Sequence, residues 1–331
     1  MKIGLFDPSL YDNKGTPSSN LGDLIIARSI ENYFYEIFSP IEIIKISSHE
    51  LPSKQSFKDL NDCEYVFIGG TNILSSNINS YNQWKVLRNK FNWLFSSTPI
   101  SDVILFGVGW WQYQQKPTFN TKSFYKKALH NNFMHSVRDE YTLNKLKDIG
   151  IENVVNTSCP TTWELNSQQT NRVNGAANCL FTITDYMKDA KNDDLLLQTI
   201  CDFFNERIYF FPQGNGDSEY IKSLDFFKKN KTKFTILNRT ISEFEDCISN
   251  SNVDYIGTRL HAGINVLQLK KNALILAVDN RATEMAKDIN LPVIDRRDFD
   301  SMRKWLKQEK IFKDIKIPTD NIKLWKEQFK K

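Results

Sequence analysis

An arginine and a histidine stand close together in the segment GTRLHAG, residues 257–263. A short apolar run precedes this segment and an amphipathic stretch follows it, which predicts a strand that ends where a helix begins. Helix N-terminal amides favour anions, and Arg259 can bind a phosphate or carboxylate through two parallel hydrogen bonds. His261 can transfer a proton near neutral pH. Two interpretations stay open: an anion site with an acid-base group, or an arginine paired with a carboxylate of the protein beside an ordinary helix residue.

A second arginine has the same kind of position in the first half of the chain. The apolar run FMHSV leads directly into Arg138 and Asp139, and a helical pattern follows. Two arginines at strand ends suit a small substrate that carries two anionic groups. A plain ion pair between Arg138 and a nearby acid is the alternative.

Two further strand-end segments carry groups that suit a sugar. The loop of residues 12–23 is long and polar, and its Asn20 and Asp23 can hydrogen-bond hydroxyls. Asp23 is either a base or a helix cap. Trp110 and Trp111 follow a glycine turn and form either a sugar-stacking platform or a packed aromatic pair.

Several other chemistries lack their sequence patterns. The chain has no G-x-G-x-x-G, no G-x-x-x-x-G-K-[ST] and no G-x-S-x-G segment, which disfavours dinucleotide, P-loop and serine-hydrolase sites. The four histidines lack metal-ligand spacing. We therefore predict no metal and no cofactor.

The hydrophobic pattern alternates short apolar runs with longer amphipathic stretches, one of them around residues 84–95. This rhythm predicts an α/β fold of two Rossmann-like lobes with a cleft between them. Ligands of such sheets bind beyond the carboxyl ends of the strands. The predicted parts are an N-terminal domain at 1–160, a polar linker at 161–178, a C-terminal domain at 179–295 and basic helices at 296–331.

Composition limits where the protein works. The 331 residues contain no apolar run near the roughly 20 that a membrane span needs, and the first strand is not a signal peptide. Five scattered cysteines indicate reduced thiols, so we expect a cytoplasmic protein. Basic and acidic residues are interleaved, which argues against a nucleic-acid partner.

The C-terminal segment departs from this even charge. Residues 296–331 contain 12 Lys or Arg against 6 Asp or Glu, and Trp325 and Phe329 share one helix face. Either this face packs on the body of the protein, or it makes a peripheral contact with an anionic membrane surface, the inner face of the cell membrane.

Five segments, in order, resemble those of the polysaccharide pyruvyl transferase family: NLGD (20–23), IGGTNIL (68–74), FGVG (106–109), SVRDEYTLNKL (136–146) and GTRLHAG. The resemblance implies a GT-B-like fold. It also implies transfer of the enolpyruvyl unit of phosphoenolpyruvate onto two hydroxyls of one sugar, which forms a pyruvate ketal and releases phosphate.

Residue by residue, the resemblance gives Arg138 and Arg259 the phosphate and carboxylate of phosphoenolpyruvate, with Leu260 and His261 in the same donor site. His261 would be the catalytic acid-base group, and the base for the hydroxyls would be Asp23 or Asp139. The C-terminal domain would hold the donor and the N-terminal domain the acceptor.

The acceptor is less well defined by the resemblance. Trp110 and Trp111 replace a Gly-Pro pair that is usual in the family, and Thr71 replaces a glycine. The implied acceptor is a sugar of an exopolysaccharide or capsule, or of its lipid-linked precursor. Two other hypotheses remain: a GT-B glycosyltransferase that uses a sugar nucleotide, and a non-catalytic glycan-binding descendant.

Overall fold

A computed structural model describes residues 1–81, 83–85, 101–165, 168–171, 177–308 and 310–330. The elements of the first half are β1 (Lys2–Asp7), α1 (Leu21–Phe38), β2 (Glu42–Ser47), α2 (Lys54–Asn61), β3 (Tyr65–Gly69), β4 (Val103–Phe106), α3 (Phe119–Ala128), β5 (His135–Val137), α4 (Glu140–Lys147) and β6 (Val154–Asn156). Those of the second half are β7 (Gln168–Asn171), β8 (Asn178–Thr182), α5 (Ala190–Phe203), β9 (Ile208–Phe210), α6 (Asp217–Ser223), α7 (Asp225–Lys229), β10 (Phe234–Ile236), α8 (Ile241–Asn250), β11 (Val253–Gly257), α9 (Leu260–Gln268), β12 (Ala273–Ala277), α10 (Asn280–Ile289), β13 (Val293–Asp295), α11 (Phe299–Leu306), β14 (Lys310–Lys313) and α12 (Thr319–Glu327).

The chain divides into two compact units. Unit 1 comprises residues 1–18, 23–163 and 317–331, and unit 2 comprises residues 19–22 and 164–316. The segment predicted as a basic C-terminal tail is thus divided between the two units. The segment predicted as a linker contains β7, which pairs antiparallel with β14 although its polar composition shows no strand period.

Unit 1 is built on parallel strands. Within the described residues β2, β1, β3 and β4 pair side by side in that order, and β5 pairs with β6. A bridge between Val108 and Val137 joins the end of β4 to β5. Apolar residues are buried on both faces of the sheet, such as Phe6 on one face and Phe67 on the other. The carboxyl ends of the strands therefore share one edge, where the turn at Gly107 meets the end of β5.

Helix α12 packs on unit 1 through its apolar face. Trp325 is fully buried, its ring stacks on Phe106 with centroids 4.5 Å apart, and its Nε1 donates to the carbonyl of Met134 at 2.9 Å. Phe329 is buried as well. This face therefore packs on the body of unit 1. Trp325 and Phe329, which were the alternative membrane contact, are covered.

Unit 2 is built on a second parallel sheet. In the described residues its order is β10, β9, β8, β11, β12 and β13. The chain order reverses between β8 and β11, because strands added after β8 lie on one side of it and those from β11 onward lie on the other. Ligands of open α/β sheets bind at such a reversal, outside the carboxyl ends of the strands.

The predicted α/β fold with parallel sheets is confirmed. Of the helical stretch expected around residues 84–95, Trp84 is buried in unit 1, and residues 86–95 lie outside the described part of the chain. Among the described helices, none combines the length and apolarity needed to cross a membrane.

Candidate functional site

Arg259 lies where β11 ends and α9 begins, as predicted. Its backbone N–H donates to Thr182 Oγ1 at 3.2 Å, and its carbonyl accepts from the Tyr255 hydroxyl at 2.9 Å. A side chain at Gly263 would overlap Ile275 of β12. The backbone of α9 thus approaches a neighbouring strand closely at this glycine, which packs the start of α9 onto the sheet.

The Arg259 guanidinium is bound by two carboxylates of the protein. Nε donates to Asp217 Oδ2 at 3.0 Å, Nη2 donates to Asp217 Oδ1, and Nη2 also donates to Asp185 Oδ1 at 3.1 Å. Only 5% of Arg259 is exposed. The interpretation in which this arginine pairs with a carboxylate therefore describes the structure, so an anion that binds it must compete with a carboxylate.

Asp217 fixes the position of this guanidinium. It is fully buried, and it also accepts the backbone N–H groups of Gly214 at 2.7 Å and Asp185 at 3.0 Å. Burial raises the pKa of Asp217, while the charge and hydrogen bonds of Arg259 oppose that rise. A side chain at Gly214 would overlap the Arg259 guanidinium. The Arg259 guanidinium therefore has no space to move towards the loop that follows β9.

Tyr186 lies between two arginines at the same strand ends. The Cζ of Arg259 is 5.1 Å from the ring centroid of Tyr186, and the Cζ of Arg281 is 5.6 Å from it. Arg281 donates to the Tyr186 hydroxyl and, through Nε, to Asp279 Oδ2 at 3.0 Å. Tyr186 thus makes cation–π contacts with both guanidinium groups.

His261 and Leu260 lie in the first turn of α9 and are largely buried, with 5% and 7% exposed. One turn further on, Asn265 Nδ2 donates to Glu245 Oε1 at 3.3 Å. The geometry thus brings His261 into the same strand-to-helix turn as Arg259, as the sequence predicts.

In unit 1, Arg138 is held in place by two neighbours. Nε donates to Asp139 Oδ2 at 3.3 Å and Nη2 donates to Asn72 Oδ1 at 2.5 Å. A side chain at Gly109 would overlap the guanidinium. Arg138 is 1% exposed, yet among the described residues its Nη1 has no hydrogen-bond partner. A buried guanidinium with unused donors is costly unless a ligand or water satisfies them.

Asp139 acts as the N-cap of α4. Its Oδ1 accepts the backbone N–H of Thr142 at 2.7 Å, and its Oδ2 accepts from Arg138. Both oxygens are used and the residue is fully buried. This geometry gives no support to the predicted role of Asp139 as a base.

Asn20 and Asp23 fall in different units. Asn20 Oδ1 accepts from Gln213 Nε2 at 2.8 Å, and the backbone of Asn20 bridges that of Gly214 in the loop beside Arg259. Asp23 lies in the first turn of α1, where its Oδ2 accepts from the Ser18 hydroxyl at 2.8 Å. The structure thus groups Asn20 with Arg259 in unit 2.

The two tryptophans have different environments. Trp110 is fully buried and its Nε1 donates to Gln114 Oε1 at 3.1 Å, so it has no face to offer a sugar. Trp111 is half-buried and stacks on Tyr81 with ring centroids 3.7 Å apart. The predicted platform is therefore wrong for Trp110, because its ring belongs to the core of unit 1.

Asp185, Asp217 and Tyr186 were missed by the sequence reasoning. Each follows a strand of the second sheet, so the rule that weights strand-end residues could have found them. Within the described residues, no group of three or more His, Cys, Asp or Glu side chains is placed to hold a metal ion.

Comparisons with known proteins identify the family from the sequence and the fold from the structure. A family model described as polysaccharide pyruvyl transferase matches residues 20–280. Among curated proteins, none matches the chain significantly. The structure is similar to that of UDP-GlcNAc 2-epimerase from Methanocaldococcus jannaschii, with a TM-score of 0.52, 14% identity and 98% of each chain covered. The same epimerase in complex with UDP-GlcNAc and UDP gives a TM-score of 0.51, 13% identity and 95% coverage of each chain. At this identity the similarity shows the fold, and the predicted GT-B-like fold is confirmed.

Proposed function

The chain belongs to the polysaccharide pyruvyl transferase family, and on that premise we propose that it transfers the enolpyruvyl unit of phosphoenolpyruvate onto two hydroxyls of one sugar. The product is a pyruvate ketal, and phosphate is released. The sugar belongs to a cell-surface polysaccharide, an exopolysaccharide or capsule, or to its lipid-linked precursor. The reaction takes place in the cytoplasm and needs no cofactor beyond the donor substrate.

The observation that supports this proposal most is the state of Arg138. Its guanidinium is fixed by Asp139 and Asn72, while the buried Nη1 has no partner among the described residues. A phosphate or carboxylate supplies the acceptor oxygens that this group lacks. Both arginines are proposed as anion-binding groups for the donor, Arg138 in unit 1 and Arg259 in unit 2.

The acid-base step is assigned to His261. A proton from His261 adds to C3 of the enolpyruvyl group, and the π electrons of the double bond form the new C–H bond. C2 becomes electron-poor, a sugar hydroxyl attacks it, and phosphate leaves with the electrons of the C2–O bond. A second hydroxyl of the same sugar then closes the ketal. Of the two hydroxyl protons, one replaces the proton of His261 and one leaves with phosphate.

The acceptor contacts are proposed for three residues that are partly exposed. They are Asn20, which lies just before α1, Asp23 in the first turn of α1, and Trp111. Trp110 has no role in the proposal.

Incubation of the purified protein with phosphoenolpyruvate and a panel of galactose, mannose, glucose and N-acetylhexosamine glycosides tests the proposal. We expect phosphate release with one acceptor class and a mass gain of one pyruvate ketal on that acceptor. Arg138→Lys and His261→Gln should each lower kcat/KM by roughly 100-fold or more, since a lost transition-state donor or acid costs about that factor. Arg303→Lys, at a half-exposed arginine of α11, is the matched control.

Two outcomes contradict the proposal. Consumption of a sugar nucleotide with no phosphate release from phosphoenolpyruvate would identify a glycosyltransferase. Glycan binding with no turnover of either donor would identify a non-catalytic protein.

A further inference from the structure

The two carboxylates on Arg259 differ in how firmly they are held. Asp217 accepts four hydrogen bonds, two of them from backbone N–H groups, and is fully buried. Asp185 contacts Arg259 through Oδ1 alone, at 3.1 Å, and its side chain is 33% exposed. Asp217 is therefore a fixed partner, and Asp185 is the partner that solvent can reach.

The main chain at Asp185 stays anchored if its side chain turns away. Its backbone N–H donates to Asp217 Oδ1 at 3.0 Å, and two residues later the carbonyl of Met187 accepts from Arg296 Nη1 at 2.5 Å. Arg296 is itself paired with buried Asp193. Rotation of the Asp185 side chain thus costs one partly exposed ion pair and leaves the loop in place.

A neighbouring glycine brings the main chain up to the Asp185 carboxylate. A side chain at Gly216 would overlap Asp185 Oδ2, so only glycine permits the observed position. Asp185 follows β8 and Arg259 follows β11, the two strands between which the sheet order reverses. The carboxylate therefore lies at the part of this sheet where ligands bind.

We propose that Asp185 is the exchangeable partner of Arg259: an anionic group of the donor takes its place on the guanidinium, and the released carboxylate accepts the proton of the attacking sugar hydroxyl. This inference rests on the proposed function for its second half. The step forms the bond between the hydroxyl oxygen and C2, breaks the O–H bond, and leaves the proton on Asp185. That proton then passes to His261, which gave one to C3, so the charges and protons balance over the cycle.

Three other carboxylates fit this role less well. Asp23 belongs to unit 1, where it lies in the first turn of α1 and its Oδ2 accepts from the Ser18 hydroxyl at 2.8 Å. Asp139 uses both oxygens inside unit 1, as a helix cap and as the partner of Arg138. Asp217 is held by four donors and is inaccessible to an acceptor sugar. Asp185 is the carboxylate that donor binding would both release and leave beside the reacting centre.

The first measurement is binding of inorganic phosphate by calorimetry, which needs no turnover. We expect Asp185→Asn to bind phosphate about two- to fivefold more tightly than the wild type, because a partly exposed ion pair of this strength no longer competes for Arg259. Arg259→Lys should bind it more weakly, and Asp202→Asn, at an exposed acid of α5, should match the wild type. Equal or weaker binding by Asp185→Asn would overturn the exchange.

The second measurement is turnover with phosphoenolpyruvate and the acceptor found in the panel. We expect Asp185→Asn to lower kcat by about 100-fold or more, as loss of a general base does, with donor binding kept. Asp185→Glu should recover part of kcat. A variant with unchanged kcat, or one that loses donor binding and kcat together, would overturn the role as base. If the wild type itself shows no turnover, the proposed function and the base role fail together, and the phosphate arm alone decides the exchange.

Discussion

Replacing Asp217 with asparagine removes one charge from a side chain that accepts four hydrogen bonds in the interior of unit 2. One oxygen accepts from Gly214 N at 2.7 Å and Arg259 Nε at 3.0 Å, and the other accepts from Asp185 N at 3.0 Å and Arg259 Nη2. The side-chain oxygen of asparagine can accept hydrogen bonds from the two donors on one side. On the other side its amide group faces two N–H donors.

The expected loss of stability follows from the two hydrogen bonds that the amide group of asparagine cannot accept. A hydrogen bond from a charged group contributes about 1.5–3 kcal/mol and a neutral one about 1 kcal/mol, so the variant should lose about 3 kcal/mol of unfolding free energy. Removal of one partner of a buried ion pair costs about 3–5 kcal/mol, which agrees with that sum. Asp185→Asn breaks a single contact at a side chain that is 33% exposed, and should lose less than about 1 kcal/mol.

The assay is urea unfolding at pH 7, followed by far-UV circular dichroism, for the wild type and the two variants. The two substitutions change the same chemical group on partners of the same arginine, so they are matched controls for each other. A loss below about 1 kcal/mol for Asp217→Asn, or equal losses for the two variants, would refute the distinction between a fixed and an exchangeable carboxylate.

Three further perturbations test other parts of the structure. Burial lowers the pKa of His135 from 6.5 to about 4, so the neutral imidazole stabilises the folded state fully above pH 6.5. As the pH drops to 4, this contribution to the unfolding free energy falls by about 3 kcal/mol. Between pH 7 and pH 4, urea unfolding of His135→Gln should therefore show a smaller loss of unfolding free energy than that of the wild type. Trp325→Ala should cost about 3–5 kcal/mol because the ring is fully buried, whereas Leu324→Ala, at a half-exposed neighbour, should cost less than about 1 kcal/mol; equal melting temperatures would contradict the packing of α12. Gly109→Ala should lower kcat/KM for phosphoenolpyruvate at least about tenfold, because the new methyl group displaces the Arg138 guanidinium, and unchanged kinetics would argue against Arg138 as a donor contact.

Local sequence patterns predict the α/β rhythm and the positions of the two arginines at strand ends. These features depend on short-range patterns: apolar runs define the strands, and a cap such as Asp139 bonds to a residue only three positions away. The same locality placed Arg259 and His261 in one turn between β11 and α9. The family, too, follows from motifs along the chain, and the family model confirms it.

The partners of those arginines depend instead on how distant parts of the chain pack together. Asp217 and Asp185 precede Arg259 by 42 and 74 residues, and they reach it because β9, β8 and β11 are neighbours in the sheet. The position of Trp110 also depends on tertiary structure, because this residue is adjacent to Trp111 in sequence but lies in the core. Strand order and burial are set by how all apolar faces of a unit pack together, so no local pattern determines whether a strand-end side chain faces a partner, the core or solvent.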